Sequence, residues 1–377
     1  MGACPSGAPS TTPCCGSLRS AASDDRHSKR RRSEPLRVAV VGAAGQVAYS
    51  LLPMIARGEM FGPSCHVALQ CLDLNLPAVR EAMQSLEMEL QDCNFELLDE
   101  TIFTTEDRAA FRGADYAILL GAYSQQKGKE RAEIMEMNSL IFRTLGHAIA
   151  RYAKKGCKVL VAGQPACTNA LLCAYHAPSV PREQFFALTR LDQNRAVGQI
   201  AERAGVSVGD VRNVIIWGSA ARVPDLAHAE VRGQPLHQAL PRREEDAKGS
   251  TEQLAQETKT RGAKIHEARK ACGALSAARA IVDHVRDLHC GTGPGVLVSM
   301  GVWSDGNEYG VCGGLIFSLP TTCSGRGCYR VAPGVAVSRQ ARRVIQEAEA
   351  ELLHDRAMML PILERHRRVP IVEPRSV

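Results

Sequence analysis

Aromatic side chains are scarce, at 5% of 377 residues with two tryptophans. No apolar run approaches the roughly 20 residues that a membrane-spanning helix needs, which argues against a helical membrane protein. The opening stretch has no long apolar segment, so a secretory signal is not expected. There are 14 cysteines but no C-x-x-C pair; Cys14 adjoins Cys15, and Cys167 lies six residues before Cys173. That pattern suggests neither a zinc site nor a disulfide framework, and no metal is expected. Cysteines scattered through apparent strands and helices (Cys71, Cys93, Cys157, Cys272) suit reduced thiols filling a cytosolic core.

Net charge is nearly missing from the middle of the chain. The formal net charge is +6. Residues 1–36 carry six basic side chains (Arg19, Arg26, Lys29, Arg30, Arg31, Arg32) against three acidic ones (Asp24, Asp25, Glu34), a net of +3. Residues 361–377 carry four (Arg365, Arg367, Arg368, Arg375) against two (Glu364, Glu373), a net of +2. The body is therefore close to neutral, which argues against a nucleic-acid-binding core. A content of 45% hydrophobic and 23% charged residues is ordinary for a soluble globular protein. The length allows one large α/β domain or two modest ones.

Residues 1–35 are rich in Ser, Pro, Gly, Ala and charge without apolar periodicity, so a disordered extension is expected. A regular pattern starts at Leu36. Apolar runs at Leu36–Val41, Val67–Leu72, 116–120 and 158–162 predict buried strands. They alternate with helical stretches at 47–55, 77–90 and 131–152. This alternation predicts an α/β fold with a doubly wound parallel sheet covered by helices on both faces. A second region begins near Phe185. It is expected to hold a strand at 211–217, a long helical stretch at 251–289, strands at 295–303 and 310–319, and a closing amphipathic helix at 338–364.

The first strand leads into G-A-A-G-Q-V-A, residues 42–48. Gly42, Gly45 and Ala48 have the G-x-x-G-x-x-A spacing of a dinucleotide turn. The small residues let backbone approach a pyrophosphate, and the first helical residues (Gln46, Val47, Ala48) aim N–H groups and the positive dipole end at it. Asp73 follows the second strand, where a carboxylate hydrogen-bonds the adenosine ribose and repels a 2′-phosphate. Together these residues point to NAD; a plain αβ turn beside a surface carboxylate is the other reading that they allow. The expected organisation is an extension over 1–35, a Rossmann-type NAD-binding domain over 36–184, an α+β substrate or catalytic domain over 185–360 and a basic tail over 361–377.

From about Leu36 to Leu353 the chain resembles the lactate/malate dehydrogenase family, in particular malate dehydrogenases of the cytosolic type. The stretches that carry the likeness are V-G-A-A-G-Q-V-A-Y-S-L-L, L-E-M-E-L-Q-D-C, L-T-R-L-D-Q-N-R-A, D-V-R-N-V-I-I-W-G, D-H-V-R-D-L-H-C-G-T and V-S-M-G-V-W-S-D-G-N-E-Y-G-V. The resemblance implies hydride transfer between NAD and a small 2-hydroxy or 2-oxo acid. It implies Asp192 as the carboxylate that orients a catalytic histidine, Arg195 as the clamp on the substrate carboxylate and Arg131 as the residue that polarises the carbonyl. A planar guanidinium suits bidentate carboxylate binding. Asn138 matches a residue near the nicotinamide half of the cofactor. The resemblance also implies a homodimer, with the helix around residues 83–93 near its interface.

Three departures from the family pattern surround the reacting carbon. The proton-transferring histidine falls on Ala220, in a loop about two residues shorter than the family's. His228, the next histidine, matches a non-catalytic position. Gln125 stands where malate enzymes carry an arginine for the far carboxylate, which favours a monocarboxylic 2-oxo acid. Gln164, in G-Q-P-A-C-T-N, stands where the family has asparagine at a cofactor and substrate contact. The sequence therefore suggests either an enzyme with weak malate activity or a non-catalytic NAD(H)-binding scaffold or partner subunit.

The chain starts M-G-A-C-P-S. Gly2 with Ser6 fits a myristoylation pattern, and Cys4 sits where palmitate follows. A second acyl chain, or the Lys29–Arg32 cluster on anionic lipid, would make such an anchor stable. The other readings are an unmodified leader, a nuclear address and a solvated charge cluster. A mitochondrial transit peptide is not expected. The expected location is the cytoplasm, at a membrane surface if the tail is acylated.

Overall fold

The computed structural model describes residues 34–123, 129–220, 222–240, 249–271 and 273–368. Gly2, Cys4, Gln125 and Cys272 lie outside the described residues. The first half alternates strand and helix: β1 (Leu36–Val41), α1 (Gln46–Ala56), β2 (Val67–Leu72), α2 (Pro77–Asp92), β3 (Leu98–Thr104), α3 (Asp107–Phe111), β4 (Tyr116–Leu119), α4 (Arg131–Tyr152), β5 (Lys158–Val161) and α5 (Ala166–Tyr175). There follow β6 (Phe185–Ala187), α6 (Arg190–Ala204), three two-residue strands β7 (Val211–Arg212), β8 (Glu230–Val231) and β9 (Gln234–Pro235), and α7 (Leu236–Ala239). The chain then forms α8 (Gly249–Arg269), α9 (Ala274–Cys290), β10 (Val298–Trp303), β11 (Ile316–Gly325), β12 (Cys328–Val331) and α10 (Arg339–Arg368).

Six parallel strands lie in the order β3-β2-β1-β4-β5-β6, the doubly wound order of a dinucleotide-binding sheet. Every residue of β2 and β4 is buried, as expected of strands covered on both faces. Gln70, polar within β2, donates through Nε2 to the carbonyls of Ala109 and Arg112, and its buried Oε1 has no partner among the described residues. Beyond β6 the sheet turns antiparallel through β10, β11 and β12, giving nine strands in one sheet. Helix α9 buries Ala278, Ile281, Val282, Val285 and Leu288 and packs on α1.

Several elements differ from the expectation. The run at 211–217 forms a strand over only two residues. Asn213 takes φ +60° and spends its Oδ1 on the Leu297 N–H, which ends the extended backbone. Ile215 then meets Asp225, and Gly218 meets Ser318, in isolated bridges. The helical stretch at 251–289 is two helices, with Lys270 at φ +56° near the break. The two late strands start at Val298 and Ile316, after glycine-rich turns, and the closing helix runs on to Arg368. Strand β3 escapes a search for apolar runs because it sits at the sheet edge, with Asp99 and Glu100 exposed.

Candidate active site

The glycine-rich turn lies at the point where the strand order reverses. β1 is flanked by β2 on one side and β4 on the other, so a crevice opens at their carboxyl ends. Gly42 has φ +87°, and a Cβ there would stand 3.2 Å from the Gly121 nitrogen in the turn after β4. A Cβ on Gly45 would stand 3.2 Å from the Gly42 carbonyl. No side chain caps α1, which leaves the N–H groups of Gln46, Val47 and Ala48 facing the turn without a side-chain acceptor. Asp73 closes the arrangement: Oδ2 accepts from the Ala44 N–H at 2.8 Å and Oδ1 from the Leu74 N–H at 2.7 Å. Each oxygen keeps a lone pair, so the carboxylate can brace the turn and still accept from ribose hydroxyls. This cradle fits a dinucleotide.

A second group of residues surrounds a cavity of about 250 Å³ lined by Arg131, Asn138, Gln164, Asn169, Glu351 and Asp355. Asn138 is buried and uses both ends of its amide on Tyr123, accepting from its N–H at 2.8 Å and donating to its carbonyl at 2.9 Å. It thereby fixes the backbone that follows β4. Gln164 accepts from the Ala166 N–H at 3.3 Å. Asn169 donates to the Gly163 carbonyl at 3.0 Å, and its buried Oδ1 has no partner among the described residues.

Arg131, at the start of α4, faces α10. Its Nε donates to Asp355 Oδ1 at 2.7 Å, and its Nη2 reaches Asp355 Oδ2 and Glu351 Oε1, both at 2.8 Å. Asp355 is buried and also accepts from the Thr168 hydroxyl at 2.6 Å. The hydrogen bond to Asp355 raises the pKa of Arg131 and holds it firmly charged. For Glu351, burial pushes the carboxyl up, but the hydrogen bond from Arg131 and the charge of Arg222 outweigh it, leaving the pKa below its ordinary value. Residues 351 and 355 gave no functional signal in the sequence; acidic side chains on an amphipathic helix look the same whether solvated or paired.

Asp192 and Arg195 lie on α6 and pair with each other, Nη1 to Oδ1 at 2.8 Å. Gly262 of α8 lies under this guanidinium: a Cβ there would come within 3.2 Å of both Nη atoms. The loop 218–224 is closed at its base by the Ile215–Asp225 bridge and clasped by Trp217 Nε1, which donates to Asp225 at 2.9 Å. Gly218 takes φ +88°, and a Cβ on it would fall 2.2 Å from Ala348 of α10. Ala220 thus lies two residues after a glycine packed against α10. His228 bonds the Ala336 carbonyl at 2.7 Å, outside these groups. Another cavity, of about 300 Å³ between Trp217, Pro224, Leu236, Thr251 and Ala341, contains none of the expected site residues.

A doubly wound sheet with a glycine cradle and a terminal aspartate at its switch point defines an NAD-binding α/β fold of the dehydrogenase kind. The family model for the lactate/malate dehydrogenase NAD binding domain matches residues 36–186, and that for the family's alpha/beta C-terminal domain matches residues 189–359. The chain belongs to the lactate/malate dehydrogenase family, and NAD is its cofactor. It is 42% identical over 333 residues to the cytoplasmic malate dehydrogenase of Zea mays, covering 88% of this chain and 99% of that protein. It is 41% identical over 326 residues to that of Homo sapiens, covering 86% and 97%. Among solved structures, malate dehydrogenase from Naegleria fowleri superposes with a TM-score of 0.80 at 36% identity, covering 88% of this chain and 99% of that one. Trichomonas vaginalis lactate dehydrogenase in complex with NADH and oxamate superposes at 0.79 with 33% identity and the same coverage.

Proposed function

We propose that this protein is an NAD-dependent oxidoreductase of 2-hydroxy and 2-oxo acids whose proton step is slow. The observation that carries the reading is the loop 218–224, where Ala220 occupies the position that the resemblance assigns to the proton-transferring histidine. When bound, NADH supplies the hydride. Arg195 binds the substrate's 1-carboxylate, and Asp192 holds that guanidinium in place. Arg131, held from behind by Asp355, polarises the carbonyl. The hydroxyl proton comes from water. A positioned acid–base residue is worth about 10²–10⁴ in rate, or roughly 3–5 kcal/mol of barrier. Its loss slows catalysis but leaves cofactor and substrate binding intact. Gln125 brings no charge to a second carboxylate from its own loop, which adds to the weakness of malate turnover.

A second reading, an NAD(H)-binding scaffold or partner subunit without turnover, is favoured by the engagement of Arg131 with Asp355 and Glu351. Fluorescence titration of NADH, followed by assays of oxaloacetate, pyruvate and an aromatic 2-oxo acid, separates the two. Slow turnover supports the first and tight NADH binding without turnover the second, whereas malate turnover at family level would refute both.

We further propose a homodimer through α1 and α2. Tyr49, Leu74, Leu76 and Met88 are exposed there, and the Tyr49 hydroxyl ties the two helices by donating to Glu89 at 2.6 Å. Sedimentation showing a monomer at micromolar concentration would remove this pairing. Cytoplasmic residence follows the relatives; among the described residues no helix is long and apolar enough to cross a membrane. Myristoylation at Gly2 with palmitoylation at Cys4 would add a membrane-surface population, to be checked by myristate labelling of the wild type and Gly2→Ala.

A further inference from the structure

Gln125 alone points away from dicarboxylic substrates, yet a second cation reaches the site from another element. Arg222, on the loop after Gly218, donates through Nη2 to Glu351 Oε2, while Glu351 Oε1 accepts from Arg131 Nη2 at 2.8 Å. One carboxylate is thus gripped by two guanidiniums, one on each oxygen. Both arginines are anchored independently of it. Arg222 Nε donates to the Ser219 hydroxyl at 3.2 Å, and Arg131 Nε donates to Asp355 at 2.7 Å.

Charge decides which acid is replaceable. The two guanidiniums face two carboxylates, so the cluster is balanced as it stands. The Asp355 side chain is 2% exposed and also bonded to Thr168, so it stays. The Glu351 side chain is 37% exposed and can swing into water. Its departure leaves two cations and one buried anion: Arg131 and Asp355 line the cavity with Asn138 and Gln164, and Arg222 stands behind the place that Glu351 vacates. That surplus of one positive charge matches one monoanionic carboxylate.

We propose that Arg222, beside Arg131 at the carbonyl, holds the second carboxylate of a dicarboxylic 2-oxo or 2-hydroxy acid, and that Glu351 fills this position when no substrate is bound. The inference rests on the reading of the protein as an NAD-dependent enzyme of such acids. Arg222 makes up for the charge missing at Gln125 and sets the substrate class, whatever the speed of the proton step.

The experiment measures binding rather than turnover. Full-length protein saturated with NADH is titrated calorimetrically with malate and with lactate, which differ by one carboxylate and cannot accept a hydride. Wild type is expected to bind malate at least about tenfold more tightly than lactate. Arg222→Gln is expected to abolish that preference while leaving NADH and lactate affinity within about twofold. Glu351→Gln, which removes the internal competitor, is expected to tighten malate binding. These opposite signs separate a site effect from general damage. The inference is overturned if wild type shows no preference, if Arg222→Gln keeps it, or if Glu351→Gln weakens malate. Failure of wild type to bind NADH overturns instead the cofactor reading on which it rests.

Discussion

Arg131 and Asp355, 224 residues apart, meet in a two-pronged ion pair that fastens α10 to the start of α4. The partners are not equivalent, because the arginine side chain is 42% exposed and the aspartate 2%. Removing the aspartate leaves an arginine that water can reach. Removing the arginine leaves a buried carboxylate supported by Thr168. Asp355→Ala is therefore expected to cost about 1–3 kcal/mol, Thr168→Val about 1 kcal/mol, and Arg131→Met more than either. Urea midpoints of the three variants give the order; an Arg131→Met variant as stable as wild type would contradict the asymmetry.

Gly42 combines a left-handed backbone with close contact to the turn after β4. Gly42→Ala is expected to strain that turn by roughly 1–3 kcal/mol and to weaken NADH at least about tenfold, since the cradle must open to relieve it. Fluorescence titration measures the affinity and thermal unfolding the strain. Unchanged NADH affinity in a folded variant would remove the turn from the cofactor site.

With no imidazole in the proton step, kcat for 2-oxo acid reduction is expected to lack an ionisation near the ordinary histidine pKa of about 6.5. Ala220→His is expected to restore little activity, because the bridge between Ile215 and Asp225 closes the loop and Ala348 packs on Gly218. A bell-shaped profile centred near neutrality in wild type would reveal a histidine acting from elsewhere.

His284 is fully buried on α9 beside Phe186, and neither ring nitrogen has a partner among the described residues. Burial pushes its pKa down to about 3, aided by the charge of Arg190. The unfolded chain takes up this proton below about pH 6.5, whereas the folded chain resists until about pH 3. Stability is thus fully present above the unfolded pKa and falls with acidification through this window, by up to about 1.4 kcal/mol per pH unit. Partly buried His147, His289 and His366 are shifted the same way and add to the slope. His284→Leu is expected to flatten the acid limb of a denaturation series; a slope equal to wild type would place the acid sensitivity elsewhere.

The nucleotide half was largely legible because its signals are local. Apolar runs such as Leu36–Val41 and Val67–Leu72 mark buried strands, and the spacing of Gly42, Gly45 and Ala48 survives as a turn with Asp73 against it. The second half is less legible. Asn213 and Lys270 adopt left-handed backbone conformations that interrupt what hydrophobic periodicity alone would continue. Edge strand β3 carries no such signal, because a strand with exposed acidic positions lacks an apolar run.

The sequence by itself determined the parallel strand order's raw material, the cofactor turn and the absence of histidine at position 220, since each depends on residue type and short-range spacing. Only the tertiary structure decided where the charges go. Asp192 turns to Arg195, Arg131 forks onto Asp355, and Arg222 shares Glu351 with Arg131. The Arg131 and Arg222 contacts span 129 to 224 residues and exist because α10 packs over α4, α5 and the loop after Gly218. A charged side chain carries no local mark of its partner; burial and packing choose that partner when distant elements close on one another.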